Sequence, residues 1–560
     1  MHGLPLIALL IGSLAVTAVA RRLGFSPPLV LVLAGLAVSF IPGMPDYQLE
    51  PDLILLVVLP PLLYSAALDT SVLSIKANLS AITSLSFGLV LFTTIMVGLA
   101  AHLLVPELPL ASAFVLGAVV APPDAVAAVA VGRRLGLPRR VMTVLGGESL
   151  LNDATALTAY RVAVAAAVGT GMSVPRGIAV FLLAAGGGIA VGLAVGWCVH
   201  RIRLALADSV MESAVGLVVP FGAYLIAEQV HASGVLAVVV AGLYLGHHAP
   251  EGGYATRLQD EAVWRAADTV LEALVFGLIG LQLSAVVSEV SAADLVMDGV
   301  LLTAVAILVR PLWIFPNTRI RGALFPAARR ARRRRRERGR RREQERIPWQ
   351  YPAVVSWAGM RGVVSVAAAS ALPLDFPGRN TVIFLGYFIT VATLLLQGLT
   401  LPWVIRRLRI RDTDTQADLL AEAQAAHAAA QAALARLEEL VPSVGGDDDG
   451  GPGGPGGYSG PGGAGGPGGE GGVPEHIVRI AQRLRGWVEH RSSGAWERLG
   501  RSAEEIGEPP SAAFRRLRRE MLTAERDAFV RFRDDGQIDD EVLRRVLREL
   551  DLEEALLSRE

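Results

Sequence analysis

Cysteine is almost missing from this chain of 560 residues: Cys198 stands alone, so no intrachain disulfide can form and no CxxC redox pair is available. Charge is scarce as well, 19% of residues against 52% hydrophobic, and the mean hydropathy of +0.46 is too high for an ordinary soluble enzyme. There is no cluster of His and Cys to hold a transition metal. There is no Gly-x-Ser-x-Gly elbow, since Gly146-Gly147-Glu148-Ser149 does not match one, and no Thr-Val-Gly-Tyr-Gly filter loop. These absences argue against a membrane-embedded enzyme and a selective channel, and no cofactor is implied. The 52 Lys+Arg and 52 Asp+Glu cancel in sum, yet they avoid the apolar segments and crowd into a mid-chain run and the C-terminal part.

What is abundant is long apolar sequence. From Leu4 to about Ile405 the chain reads as a near-continuous series of stretches, each about 16–25 residues, the length a helix needs to cross a bilayer core. We count about thirteen, starting near Leu4, Pro28, Asp52, Ala81, Ala111, Arg140, Pro175, Val210, Ser233, Val263, Leu295, Tyr351 and Thr381. Ala18-Val19-Ala20 resembles a signal-peptide cleavage site, but no Lys or Arg precedes it while Arg21 and Arg22 follow, which favours an uncleaved span with its N-terminus outside. Loops after odd-numbered spans are then basic, with Arg21 and Arg22, Lys76, Arg133 to Arg140, Arg201 and Arg203, Arg257 and the Arg329–Arg346 run; the intervening loops are nearly free of Lys and Arg. This alternation places the C-terminus in the cytoplasm. The Arg329–Arg346 run reads as a topology determinant that touches anionic lipid; with spans on both sides and no interleaved aromatics, it is not a nucleic-acid site.

Composition divides the chain into a transmembrane domain over 1–410, an Ala-rich cytoplasmic helix over 411–440, a Gly/Pro-rich linker over 441–474 and a cytoplasmic helical domain over 475–560. The expected fold is therefore an all-α polytopic membrane protein with an appended cytoplasmic helical region.

Ionisable residues within apolar spans are costly and are functional candidates by default. Asp124, Glu148, Asp153, Glu272 and Arg361 qualify, Glu272 more for packing than for transport. In Gly147-Glu148-Ser149-Leu150-Leu151-Asn152-Asp153, Glu148 and Asn152 are four apart, as are Ser149 and Asp153, so two adjacent stripes gather carboxylate, amide and hydroxyl oxygens on one helical face. Such oxygens suit a hard monovalent cation. Pro122 and Pro123 should break the fifth span just before Asp124, and Gly359 and Gly362 should break the twelfth around Arg361. Two discontinuous helices roughly 240 residues apart fit the inverted-repeat design of secondary transporters. A single carboxylate that holds either a proton or a cation is enough to couple the two flows, and a tail-regulated potassium efflux system is the alternative.

Pro123-Asp124-Ala125-Val126-Ala127, Gly147 to Asp153 continuing into Ala154-Thr155-Ala156-Leu157, and Trp357-Ala358-Gly359-Met360-Arg361-Gly362-Val363 resemble the monovalent cation/proton antiporter family of the NhaP and sodium/hydrogen exchanger type. Lesser matches are Leu59 to Tyr64 and His231 to Ala237, and the resemblance covers about Leu4 to Ile410. It implies exchange of Na⁺ or K⁺ for H⁺ at the cytoplasmic membrane by alternating access, with Asp153 holding proton or cation in turn. Asp124 and Ser149 would help form the transient monovalent-cation site, and Asn152 would mark the electroneutral branch. Glu148 would brace Arg361 as a structural ion pair, and the protein would be a homodimer. Many members have Thr before the Asp of the fifth span and Pro after it; Pro123 and Ala125 stand there in this chain, which bears on any side-chain ligand from position 123.

Overall fold

The structure is a computed structural model that describes residues 3–41, 54–124, 126–168, 174–206, 208–251, 253–288, 293–324, 349–410, 415–441, 477, 479–486, 488, 510–534 and 540–559. The expected linker beyond Val441 and the Arg329–Arg346 run lie outside these residues. The chain divides into two compact units, Met1–Asp412 and Thr413–Glu560.

The first unit is helical throughout its described residues. In order it contains α1 (Gly3–Leu23), α2 (Pro27–Ser39), α3 (Leu59–Leu68), α4 (Val72–Thr83), α5 (Val90–Leu104), α6 (Leu110–Val120), α7 (Val126–Arg134), α8 (Arg139–Ala167), α9 (Val174–Leu206) and α10 (Ser209–Gln229). Then follow α11 (Gly234–His248), α12 (Tyr254–Ser288), α13 (Ala293–Leu324), α14 (Gln350–Trp357), α15 (Val363–Ser370) and α16 (Arg379–Arg407). The expected spans each fall on one of these helices or on a pair of them. Among the described residues, six helical stretches are long and apolar enough by themselves to cross a membrane, Val72–Leu104 and Arg379–Arg407 among them.

Two spans begin earlier than the sequence suggested, at Val72 rather than Ala81 and at Tyr254 rather than Val263. In both, polar turns ahead of the apolar run continue the helix, because helical hydrogen bonding does not stop where hydropathy falls. α4 and α5 join through a π-helical stretch, Ser84–Leu89, and a second π-helical stretch, Ile54–Val58, leads into α3. Each wide turn leaves carbonyls that other groups can use.

Small residues let the backbones close. A Cβ at Gly35 of α2 would fall 2.6 Å from the Gly277 carbonyl of α12, and one at Gly280 would strike the Val32 carbonyl, so these helices meet backbone to backbone. A stripe on α9, Gly188 and Gly192, meets Ser233 and Ala237 at α11 in the same way. Because lipid tails are as apolar as the side chains they would be exchanged for, such close van der Waals contact supplies much of the association between membrane helices.

The two expected breaks are present. α6 stops at Val120 and α7 resumes at Val126; α14 stops at Trp357 and α15 resumes at Val363. Pro122 and Pro123 account for the first, as tandem prolines remove two amide donors. The second is built on Gly359 and Gly362.

In the second unit, α17 (Thr415–Leu440) packs Leu437, with Val441 just past its end, against Ile477 and Ala481, and Arg485 bonds Glu438 at 2.8 Å. Separately, α18 (Pro510–Asp534) and α19 (Asp540–Arg559) form an antiparallel pair around Leu522, Leu550 and Leu557. Arg518 grips Glu553 through two bonds of 2.7 and 2.8 Å, and Arg526 bonds Asp551 at 2.7 Å. The Arg518 guanidinium holds the Glu553 carboxyl below the usual glutamate range.

Candidate functional site

The unwound residues between α6 and α7 cross those between α14 and α15. At the crossing the Asp124 amide donates to the Met360 carbonyl at 2.6 Å, and the Arg361 Nε–H donates to the Val120 carbonyl at 2.9 Å. Each broken helix thus satisfies backbone groups that the other leaves open, a requirement wherever irregular chain lies among apolar spans.

Asp124 sits where two half-helices begin. Its Oδ1 accepts from the Val126 amide at 2.8 Å, and the Val363 amide also faces the carboxylate. Helix N-termini carry unsatisfied N–H groups and the positive end of the dipole, so they favour an anion there. Gly362 is the residue that permits this: a Cβ at Gly362 would collide with the Asp124 carboxylate. Only a glycine lets the second break pass so near the first.

Arg361 was expected to pair with Glu148. It does not. Its guanidinium is spent on carbonyls, those of Val120, Gly359 and, at 3.2 Å, Ala306, while its own amide bonds Thr393 Oγ1 at 3.2 Å. Val120 and Gly359 end or follow the two half-helices on their C-terminal sides, where carbonyls and the negative dipole end attract a cation. Arg361 is therefore a cap for two broken helices rather than half of a salt bridge.

The partner of Glu148 is Arg310 of α13. The pair is bidentate at 2.6 and 2.7 Å, both side chains are at most 3% exposed, and the Arg310 Nε–H also donates to the Val355 carbonyl at 2.8 Å. This geometry is the strong form of an Arg–carboxylate contact. Gly359 again makes room, because a Cβ there would meet the Arg310 Cδ. Sequence reasoning missed Arg310, although an arginine ahead of Pro311 inside an apolar stretch carries the same signal as Arg361.

Asp153 and Asn152 lie midway along α8, both buried, facing this crossing. Asn152 Nδ2 donates to the Pro123 carbonyl at 2.7 Å, a carbonyl freed by the break, so position 123 meets α8 through its backbone. Asn152 Oδ1 is buried with no hydrogen-bond partner among the described residues. Asp153 lies within electrostatic reach of Asp124, and half-buried Ser149 is one turn before it. The structure thus gathers Asp124, Ser149, Asn152 and Asp153 around one region.

Further carboxylates extend from there. Glu272 of α12 lies within electrostatic reach of both Asp124 and Asp268, and Asp268 accepts from Ser65 Oγ at 2.6 Å while its Oδ1 is buried without a partner among the described residues. Asp268 was not singled out in the sequence, because it stands at the polar beginning of its apolar run.

Residues 6–407 match the sequence model of the sodium/hydrogen exchanger transmembrane family. The chain belongs to this family. Among its relatives is a protein of Mycobacterium tuberculosis named an uncharacterized Na⁺/H⁺ exchanger, 33% identical over 79% of this chain and 81% of its own. Another is the Na⁺/H⁺ antiporter ApNhaP of Aphanothece halophytica, 30% identical over 74% and 76%. The fold matches the sodium proton antiporter MjNhaP1 of Methanocaldococcus jannaschii with a TM-score of 0.57 at 18% identity, covering 72% of this chain and 97% of that one. For a sodium/hydrogen exchanger family member, the match spans both broken helices and all of α8.

Proposed function

We propose that this protein is a secondary antiporter that exchanges Na⁺, or K⁺, for H⁺ across the cytoplasmic membrane, electroneutrally and by alternating access, with Asp153 holding either proton or cation. The observation that carries the reading is the buried, unpartnered Asn152 Oδ1 beside Asp153 at the crossing of the two broken helices. An orphan buried oxygen costs about 1–3 kcal/mol, a cost that disappears when a cation sits against it. Asp124 and Ser149 complete an all-oxygen set of the kind hard cations take.

The charge balance supports one-for-one exchange. Glu148 is neutralised by Arg310, while Asp124 lies at the N-terminal ends of α7 and α15 and Arg361 at the C-terminal ends of α6 and α14, so each charge is met by half-helix ends of the opposite sign. Among the described residues no basic side chain pairs with Asp153, so a single positive charge, H⁺ or metal ion, neutralises it on either stroke. Asp268 and Glu272 are the acidic approach by which cations reach it, on the side of the basic loops. The membrane position has the N-terminus outside and the C-terminus in the cytoplasm, and the working unit is a homodimer.

The test is a pH-gradient assay in inverted vesicles with Na⁺, K⁺ and Li⁺ added in turn. Collapse of the gradient by Na⁺ or K⁺ in the wild type, lost in Asp153→Asn, is expected. Equal activity of that variant would refute the assignment, and cation-driven loss of the gradient that generates a membrane potential would refute electroneutrality.

A further inference from the structure

A cavity of 370 Å³ lies away from the crossing, between α4, α8, α13 and α14. This is within the range of ligand pockets, about 300–1,000 Å³. Its inner walls are apolar: Leu85, Val141 and Val144 on one side, Ile314 and Val355 on the other. Trp313 forms part of the wall and is fixed there three ways. Its indole N–H donates to the Ser84 carbonyl in the π-helical turn at 3.2 Å, its ring presses on Gly88 where a Cβ would fall 2.5 Å from it, and Phe92 lies 5.1 Å away. A wall held so firmly does not collapse to fill the space.

The rim is polar, with Asn78, Ser80, Asn317 and Thr318, and among the described lining residues Arg140 is the one charged side chain. Elsewhere on the same helices, Leu308 and Leu312 of α13 are 65% and 57% exposed, and Leu73 and Leu79 of α4 are exposed as well, as on a surface that meets lipid chains. The cavity itself combines apolar walls with a cationic side chain at its rim. A soluble anion would leave the apolar walls unused, and a neutral lipid would leave the cation unmatched.

The geometry points to a binding site for an anionic phospholipid, its phosphodiester against Arg140 and an acyl segment against Trp313 and Ile314. Its floor touches the machinery: Val355 gives its carbonyl to Arg310, and Val144 is one turn before Glu148. A bound lipid braces the Glu148–Arg310 pair from outside the ion site.

The test uses full-length protein in detergent, titrated with phosphatidylglycerol, phosphatidylcholine or glycerol phosphate, and read by melting temperature and by lipid retained in native mass spectrometry. Phosphatidylglycerol should raise the melting temperature saturably, while the other two should not. Arg140→Gln should weaken the effect about tenfold, as loss of one charge-assisted contact does, and Val144→Trp should abolish it by filling the cavity. If Val144→Trp does not fold, Ala81→Phe fills the space from the opposite wall. An undiminished phosphatidylglycerol effect in the filled variant would overturn the proposal. So would an equal effect of phosphatidylcholine, or saturation by glycerol phosphate alone, which would mark a soluble-anion site.

Discussion

Replacing Glu148 by Gln tests the most consequential contact in the membrane unit. The Glu148–Arg310 pair is bidentate at 2.6 and 2.7 Å, and its side chains are 2% and 3% exposed. Breaking such a pair strands a charge in an apolar interior and costs about 3–5 kcal/mol, whereas replacing both partners by apolar residues of similar volume is close to neutral. Glu148→Gln, Glu148→Met and Arg310→Met should each lower the thermal stability of the purified protein steeply, and Glu148→Met with Arg310→Met should recover most of the loss. With each single loss about 3–5 kcal/mol and the double variant close to neutral, the coupling energy of the cycle should be on the order of 6–10 kcal/mol. The same cycle with Arg361→Met in place of Arg310→Met should give far less coupling, because Arg361 is engaged by carbonyls. Additive losses for Glu148 and Arg310, or stronger coupling of Glu148 to Arg361, would refute the reasoning.

Other outcomes follow from the same contacts. Gly362→Ala forces a Cβ into the Asp124 carboxylate and should abolish exchange in vesicles while the remaining helices still insert, since the obstruction is confined to the crossing. Asn152→Leu removes the orphan oxygen and the bond to the Pro123 carbonyl; the cation concentration for half-maximal exchange should rise at least tenfold, and an unchanged value would count against a ligand role. Truncation after Arg411 should leave exchange measurable in vesicles while altering its pH profile. In the α18–α19 pair, Glu553 is held below its ordinary range by Arg518, so its contribution is present above that range and disappears as pH falls through the lowered value. Hydrogen exchange over 510–559, corrected for intrinsic rate, should be faster in Glu553→Gln at pH 7, and the difference should shrink as the pH is taken below the ordinary glutamate range.

Much of the fold was legible because the bilayer imposes its length on helices and because Pro122, Pro123, Gly359 and Gly362 announce breaks in apolar runs. The Glu148 to Asp153 string announced its shared face through spacing alone. The partner of Glu148 was not legible. A sequence shows that a buried carboxylate needs a cation, yet Arg310 and Arg361 are both arginines in apolar runs, and only the path of α13 past Gly359 decides between them. The role of Arg361 was hidden for a related reason: the carbonyls it caps belong to the backbone and leave no residue signature. The π-helical turn at Ser84–Leu89 was equally silent, since one extra residue in a helical turn changes no apolar pattern.

The reciprocal bonds at the crossing also set an order for biosynthesis. The Asp124 amide and the Val120 carbonyl find their partners in Met360 and Arg361, which leave the ribosome roughly 240 residues later. At about 5–20 residues per second this is an interval on the order of 12–48 s. Throughout it, the first broken helix carries open polar groups that the growing chain cannot yet supply. The first half of the membrane unit must wait in a waterlogged or protein-shielded setting, and it becomes compatible with the bilayer interior only when the second break arrives.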